Sequence, residues 1–151
     1  MPTNTDHTPL AAKLELALVT YLGTVLDDMG LTGLQVLSSF SDTEALASPR
    51  LVITCDAMTA VSMDLPGIMD CTVQLDYLTQ SPATIAQHRS AAGTIEGWMQ
   101  DITTVQAALN ATDAIHCYFY QWAGNNFTKD ADDGAFTTRI TLMIRAQGRQ
   151  I

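Results

Sequence analysis

Between residues 69 and 77 the chain alternates without a fault. Cys71, Val73, Leu75 and Tyr77 take one side, and Thr72, Gln74 and Asp76 take the other. Successive side chains of an extended strand point to opposite faces, so a period of two specifies a strand buried on one face and wet on the other. A sheet built on such strands must keep its helices to one side.

The rest of the chain supplies those helices and further strands. Thr8 and Pro9 read as an N-cap followed by the first helical turn. Leu10, Leu14, Ala17, Leu18, Tyr21, Val25 and Met29 then recur at helical spacing up to a C-capping Gly30. Gly33–Ser38 contains a short strand, and Leu51–Asp56 a second. Ala57–Gly67 reads as a loop, with Pro66-Gly67 as its turn signal. Ser81-Pro82 repeats the N-cap and Pro pattern, and a helix runs from there to about Gln100. Ile85, His88, Ala92, Ile95, Met99 and Ile102 form its stripe. Gly93 and Gly97 share another face, where they either admit a close backbone or are merely tolerated. Asp101–Asn110 predicts a short extra helix with Val105 and Leu109 inward. Ile115–Trp122 and Ala135–Gln147 predict two last strands joined by the loop Ala123–Gly134. The order α-β-β-β-α-(α)-β-β predicts one α+β domain over residues 1–151. Its mainly antiparallel sheet has four to five strands flanked by two main helices.

Charge excludes one class of function. Sixteen acidic against seven basic residues give a formal net charge of −9. A nucleic-acid backbone is held by clustered Lys and Arg, which this balance opposes. Charged residues make up only 15% of the chain, against about 25% in an ordinary soluble domain. That shortfall implies apolar surface covered by a partner. The three cysteines, Cys55, Cys71 and Cys117, each lie in a strand-like run and read as reduced core thiols. The start, Met1–His7, lacks the zones of a secretion signal, and no apolar stretch is long enough for a membrane helix.

Motifs for chemistry are missing. His7 lies in a polar tail, His88 on a helical stripe and His116 in a strand. His116 and Cys117 are sequential, so a strand points them to opposite faces and they form no Cys–His pair. No Gly-x-Ser-x-Gly elbow and no phosphate-cradling loop occurs. Asp130, Asp132, Asp133 and Gly134 resemble a calcium loop only in part: Gly134 is fifth, not sixth, and a strand follows. The expectation is a solvated turn, with no metal, no cofactor and no enzyme activity. Tyr118, Tyr120 and Trp122, with Arg139 and Arg145 beside them, could stack bases on a basic sheet, but the net charge opposes it.

An assembly surface uses the same residues more economically. Strict alternation turns Ile115, Cys117 and Phe119 toward the helices and His116, Tyr118, Tyr120 and Trp122 away. On the last strand Phe136, Thr138, Ile140, Leu142, Ile144 and Ala146 make one row. Thr137, Arg139, Thr141, Met143 and Arg145 make the other. Aromatics, Met and Arg are enriched at protein interfaces. Either loops of the same chain cover this face or another subunit does. The expected contact residues are Tyr118, Tyr120, Trp122, Arg139, Met143 and Arg145.

The segments LELALVTYLGTVL, PRLVITCDA, CTVQLDYLT running into SPATIAQHRSAAGTIEGWM, then IHCYFYQW and FTTRITLMIRA, follow one another in an order and texture that resembles a phage family. Over Leu10 to Gln147 the chain resembles the tail terminator, or tail completion, proteins of long-tailed bacteriophages. The resemblance implies a homo-oligomeric ring, usually a hexamer, on the head-proximal end of the tail tube. The ring ends tube polymerisation and offers a docking surface to the neck. Its partners are copies of itself, the tail tube protein and a head-neck connector protein, and DNA passes through the lumen without specific binding. It implies a virion protein assembled in the host cytoplasm, with no membrane partner. Head–tail connector proteins, which form rings under the portal, share the same size and texture and stand as the alternative. On this view the loop carrying Lys129, Asp130, Asp132 and Asp133 projects toward the lumen or the tube.

Overall fold

Leu14, Leu18 and Leu22 are fully buried, and their spacing of four sets them on one stripe of the first helix, α1 (Leu10–Met29). Each contributes roughly 1.5–3 kcal/mol by leaving water. The computed structural model describes residues 9–40, 49–62, 64, 67–80, 82–129 and 134–149. Pro9 occupies the position before the first helical residue, one place outside the expected first turn, and Thr8 lies outside the described residues. At the far end Gly30 adopts φ 73°, ψ 25°, and its N–H donates to Asp27 O at 3.1 Å. That left-handed cap favours Gly, which has no Cβ to clash.

After α1 come β1 (Gln35–Ser38), β2 (Arg50–Ala60), β3 (Ile68–Thr79), α2 (Ile85–Met99), α3 (Ile102–Asn110), β4 (Ile115–Lys129) and β5 (Phe136–Gly148). The strands form one sheet in the order β1-β2-β3-β5-β4. Three pairings are antiparallel, and β1 joins β2 in parallel. The fold is the expected α+β arrangement with a mixed sheet. In β3 the alternation holds from Cys71 to the end: Cys71, Val73, Leu75, Tyr77 and Thr79 are buried, and the residues between them are half-exposed.

The helices serve the buried face. α1 packs on β1 and β2, α2 on β5, and α3 on β4 and α1. Leu51, Ile53, Leu75, Ile140, Leu142 and Ile115 meet Leu18, Ile95, Met99, Val105 and Leu109 in one core. Within it Glu15 of α1, only 1% exposed, clamps the β1 end of the sheet. Its Oε1 accepts from Ser38 Oγ, Ser39 N and Ser39 Oγ, and its Oε2 accepts from Cys55 N at 2.9 Å. A buried carboxyl is tolerated when hydrogen-bond donors surround it.

Several local expectations are corrected. α2 starts later than Ser81-Pro82 suggests. Thr84 is its cap, accepting from Gln87 N at 3.2 Å while Gln87 Oε1 accepts from Thr84 N at 2.9 Å. Reciprocal satisfaction of two orphan donors fixes that start. Ile85 and Ile102, expected on the inward stripe, are 42% and 47% exposed. A Cβ at Gly93 or Gly97 would meet nothing within 4 Å, so neither admits a close backbone in this chain. Part of each expected loop is strand. Ala57–Ala60 pair with Met69–Thr72, and Gly124–Lys129 pair with Phe136–Thr141. A long partner strand recruits these residues although they carry little apolar pattern of their own.

Candidate assembly surface

No helix covers the second face of the sheet among the described residues, and β3 and β5 run down its centre. There Arg139 Nε donates to Asp76 Oδ1 at 2.8 Å and Nη2 to Oδ2 at 3.1 Å. Arg145 makes the same two bonds to Asp70, at 2.8 and 3.1 Å. These fork-shaped pairs match the planar guanidinium to the carboxylate. The hydrogen bonds from Arg145 hold the Asp70 carboxyl below the ordinary carboxylate range. Between the two pairs Thr141 Oγ1 donates to Gln74 Oε1 at 2.7 Å, and Thr72 Oγ1 reaches Met143 Sδ at 3.6 Å. The seam is a ladder of polar groups already satisfied inside the chain.

An aromatic corner flanks the ladder. Tyr118, Phe119 and Met143 are 45%, 49% and 37% exposed. Tyr118 Oη donates to Gln147 Oε1 at 2.9 Å, and its ring meets His116 edge-on at 4.3 Å. At the opposite end Arg50, Val52, Leu78, Asn126, Thr128 and Thr137, with the Arg139–Asp76 pair, line an open concavity of about 560 Å³.

The strict alternation expected along β4 fails. The register slips between Cys117 and Phe119 and again between Trp122 and Gly124. Each extra residue of a bulge shifts side-chain parity by one. Tyr120 and Trp122 therefore turn toward the helices, and Phe119 turns out. Tyr120 is 1% exposed and its Oη donates to Met99 O at 2.6 Å. Burial pushes its phenol well above the ordinary value. Trp122 is half-buried, with Nε1 donating to Glu96 Oε2 at 3.2 Å. The second slip restores parity, so Phe127 points inward and stacks on Phe136 at 6.2 Å.

Of the residues expected in contact with a partner, Tyr118, Arg139, Met143 and Arg145 share the open face. The β5 rows fall as expected, with Ile140, Leu142, Ile144 and Ala146 buried and Arg139, Met143 and Arg145 exposed. Lys129 ends β4 and is exposed, whereas Asp130, Asp132 and Asp133 lie outside the described residues. Asp70 and Asp76 complete the ladder. Asp76 already belongs to the outward row of β3, and one more pair of steps back along the same period reaches Asp70.

Among the described residues no histidine or cysteine lines the main concavities. His88 is fully buried, with Nδ1 2.8 Å from Thr79 Oγ1 and Nε2 2.8 Å from Thr138 Oγ1. Its ring packs among Tyr77, Phe127 and Phe136. Cys117 is buried and His116 lies across the sheet from it, near Arg149. Among the described residues no group of three His, Cys, Asp or Glu is placed to hold a metal ion. No helix there is long and apolar enough to cross a membrane.

Comparison with known proteins concerns the fold. No family model matches the chain, and no curated protein matches it. Among solved structures it is similar to a chain in the "Virion of native gene transfer agent (GTA) particle". The TM-score is 0.55 at 9% sequence identity, over 91% of this chain and 96% of the other. At that identity the likeness shows a shared fold.

Proposed function

We propose that the chain is a structural virion protein of the phage-like kind, without enzyme activity. It closes into a homo-oligomeric ring, a hexamer, on the head-proximal end of a tail tube. The ring stops the tube from growing and offers the neck its docking surface, while DNA passes through the lumen without being held. The observation that carries this reading is the shared fold, nearly end to end on both chains, with a component of a virion particle. The one-sided sheet supports it, because the open face is rich in Arg, Met and aromatic side chains.

A tube grows by head-to-tail addition and stops when a cap presents a surface unlike its own. A cap subunit therefore needs two unlike faces and lateral contacts. The chain has a helical face, an open sheet face and two sheet edges, β1 and β4. Tyr118, Arg139, Met143 and Arg145 take the contact role between copies of the chain, and the sheet edges the lateral one. Tyr120 and Trp122 serve it from within by fixing the bulged course of β4. The hairpin end at Lys129, with Asp130, Asp132 and Asp133, faces the lumen or tube. A lining with three acids to one lysine repels phosphate on balance and lets DNA slide.

The test is assembly of particles lacking this protein, followed by addition of labelled protein and electron microscopy. Overlong or headless tails, corrected by the protein with label at the tail top, support the reading. Label at the head vertex with normal tail lengths would transfer the chain to the head–tail connectors. Shortening the Lys129 hairpin should impair head joining or tail length, and normal particles would remove the loop from the mechanism.

A further inference from the structure

The open face is self-complementary. Its four long strands lie in the order β2-β3-β5-β4. A two-fold axis along the β3–β5 seam therefore exchanges β3 with β5 and β2 with β4. Asp76 stands in register with Arg139, and Asp70 with Arg145. The rotation sets Arg139 of one copy over Asp76 of a second, and Arg145 over Asp70. Each existing ion pair becomes half of a square of alternating charges. An axis in the same plane but across the strands would set Arg139 over Arg145, like charge on like, which opposes association.

The uncharged groups obey the same exchange. Thr141 comes over Gln74, and Met143 over Thr72, the pairs that already bond within one chain. Bulk is matched as well. Phe119, with Tyr118 beside it, stands level with Arg145, and Thr59 of β2 stands level with Asp70. The rotation brings the Phe119 ring over Thr59, which is small and exposed. β3 and β5 are paired over 12 residues, or roughly 40 Å, and four strands span roughly 19 Å. The product, roughly 750 Å² for each copy, is the upper bound of the contact, because the concavity at the Arg139 end takes part of it, and it compares with the ~800 Å² of a standard stable interface.

We infer that the open face of the sheet docks on the same face of a second copy of this chain, about a two-fold axis along the β3–β5 seam. The inference rests on reading this face as an assembly surface and adds the identity of its partner. The contact is isologous and closes after two copies, so it is distinct from the head-to-tail contacts that complete a ring.

Sedimentation velocity over a micromolar concentration series tests it with two variants. Arg139→Asp with Arg145→Asp makes an acidic face, and Asp70→Arg with Asp76→Arg makes a basic one. Each variant alone is expected to halve the mass of the wild-type particle. An equimolar mixture is expected to restore that mass, with one copy of each verified by native mass spectrometry. Exchange of all four residues restores the pairs within the chain and should associate as the wild type does, which separates loss of docking from loss of folding. A wild type that stays single over the series, variants that associate as well as the wild type, or a mixture no heavier than its components would each overturn the proposal. Normal tail capping by a variant that no longer pairs leaves the ring reading standing. Aberrant tails with pairing intact leave the two-fold contact standing.

Discussion

Asn110 grips the backbone of Cys117 at both of its polar groups. Asn110 Nδ2 donates to Cys117 O at 3.0 Å, and Oδ1 accepts from Cys117 N at 2.7 Å. A neighbouring strand would make the same two bonds. β4 is an edge of the sheet, and Gln106 Nε2 adds a second donor to that carbonyl at 3.3 Å. The end of α3 thus takes the place of a sixth strand just ahead of the first bulge. An edge left bare is a template for pairing with other chains.

Asn110→Ala should expose that template. The variant is expected to lose about 1–2 kcal/mol, since the Cys117 N–H loses its partner. Urea unfolding checks the stability, and light scattering after mild warming checks for growth on the bare edge. Unchanged values in both would show that the grip is incidental.

His88 gives the fold a defined response to acid. Burial, and then the charge of Arg89, hold its pKa below the ordinary 6.5. Above that value the ring is neutral in folded and unfolded chains alike, so it exerts no pH effect. As pH falls through 6.5 the unfolded chain takes up a proton that the folded chain refuses. Stability then declines until pH reaches the lower folded value. The urea midpoint should therefore drop as pH falls below about 6.5. His88→Gln should be less stable at neutral pH, with a visibly flatter profile across that window. An equally steep profile in the variant would place the acid response elsewhere.

Much of this architecture was legible in residue spacing, and the exceptions share a cause. The inward row of β3 and both rows of β5 follow from a period of two, because a strand in the middle of a sheet has its faces set by burial. The last turn of α1 follows from Gly30. The bulges at Tyr118 and Ala123 left no such trace. A slip in register is decided by the partner strand, and here Arg145 pairs with Phe119 while Tyr118 is left over. Likewise Ala57–Ala60 looked like loop because their pairing is supplied by β3. The ion-pair ladder was half visible. Both arginines and Asp76 lay on predicted outward rows, but only the register of β3 against β5 joins them and adds Asp70.

The first bulge makes neighbouring aromatics behave oppositely. Phe119→Asp falls on the open face, and its cost should stay within about 0.5 kcal/mol. Tyr120→Asp buries a carboxyl in the same core and discards the bond to Met99 O. That change should cost about 4 kcal/mol or more and leave little folded protein. Thermal unfolding followed by circular dichroism checks both. Under strict alternation the order would be reversed, with Phe119→Asp the damaging change.

The cysteines report on the same core from another direction. Cys55 lies partly exposed at the bulge of β2, while Cys71 and Cys117 are buried. Burial pushes the Cys117 thiol up to about 11. Cys71 is raised further still, by its hydrogen bond with Cys55 and by burial, while that bond lowers Cys55. The thiolate is the reacting form, so low exposure and a raised pKa act together. A disulfide-exchange reagent at neutral pH should therefore modify one thiol promptly and two only as the chain unfolds. Cys55→Ser should abolish the prompt phase and leave the slow one, with a rate that tracks urea unfolding. A prompt phase that survives Cys55→Ser would mean that β2 and β3 part readily at the Cys71 end, and the sheet would then be looser there than its continuous pairing from Ala57 to Ala60 implies.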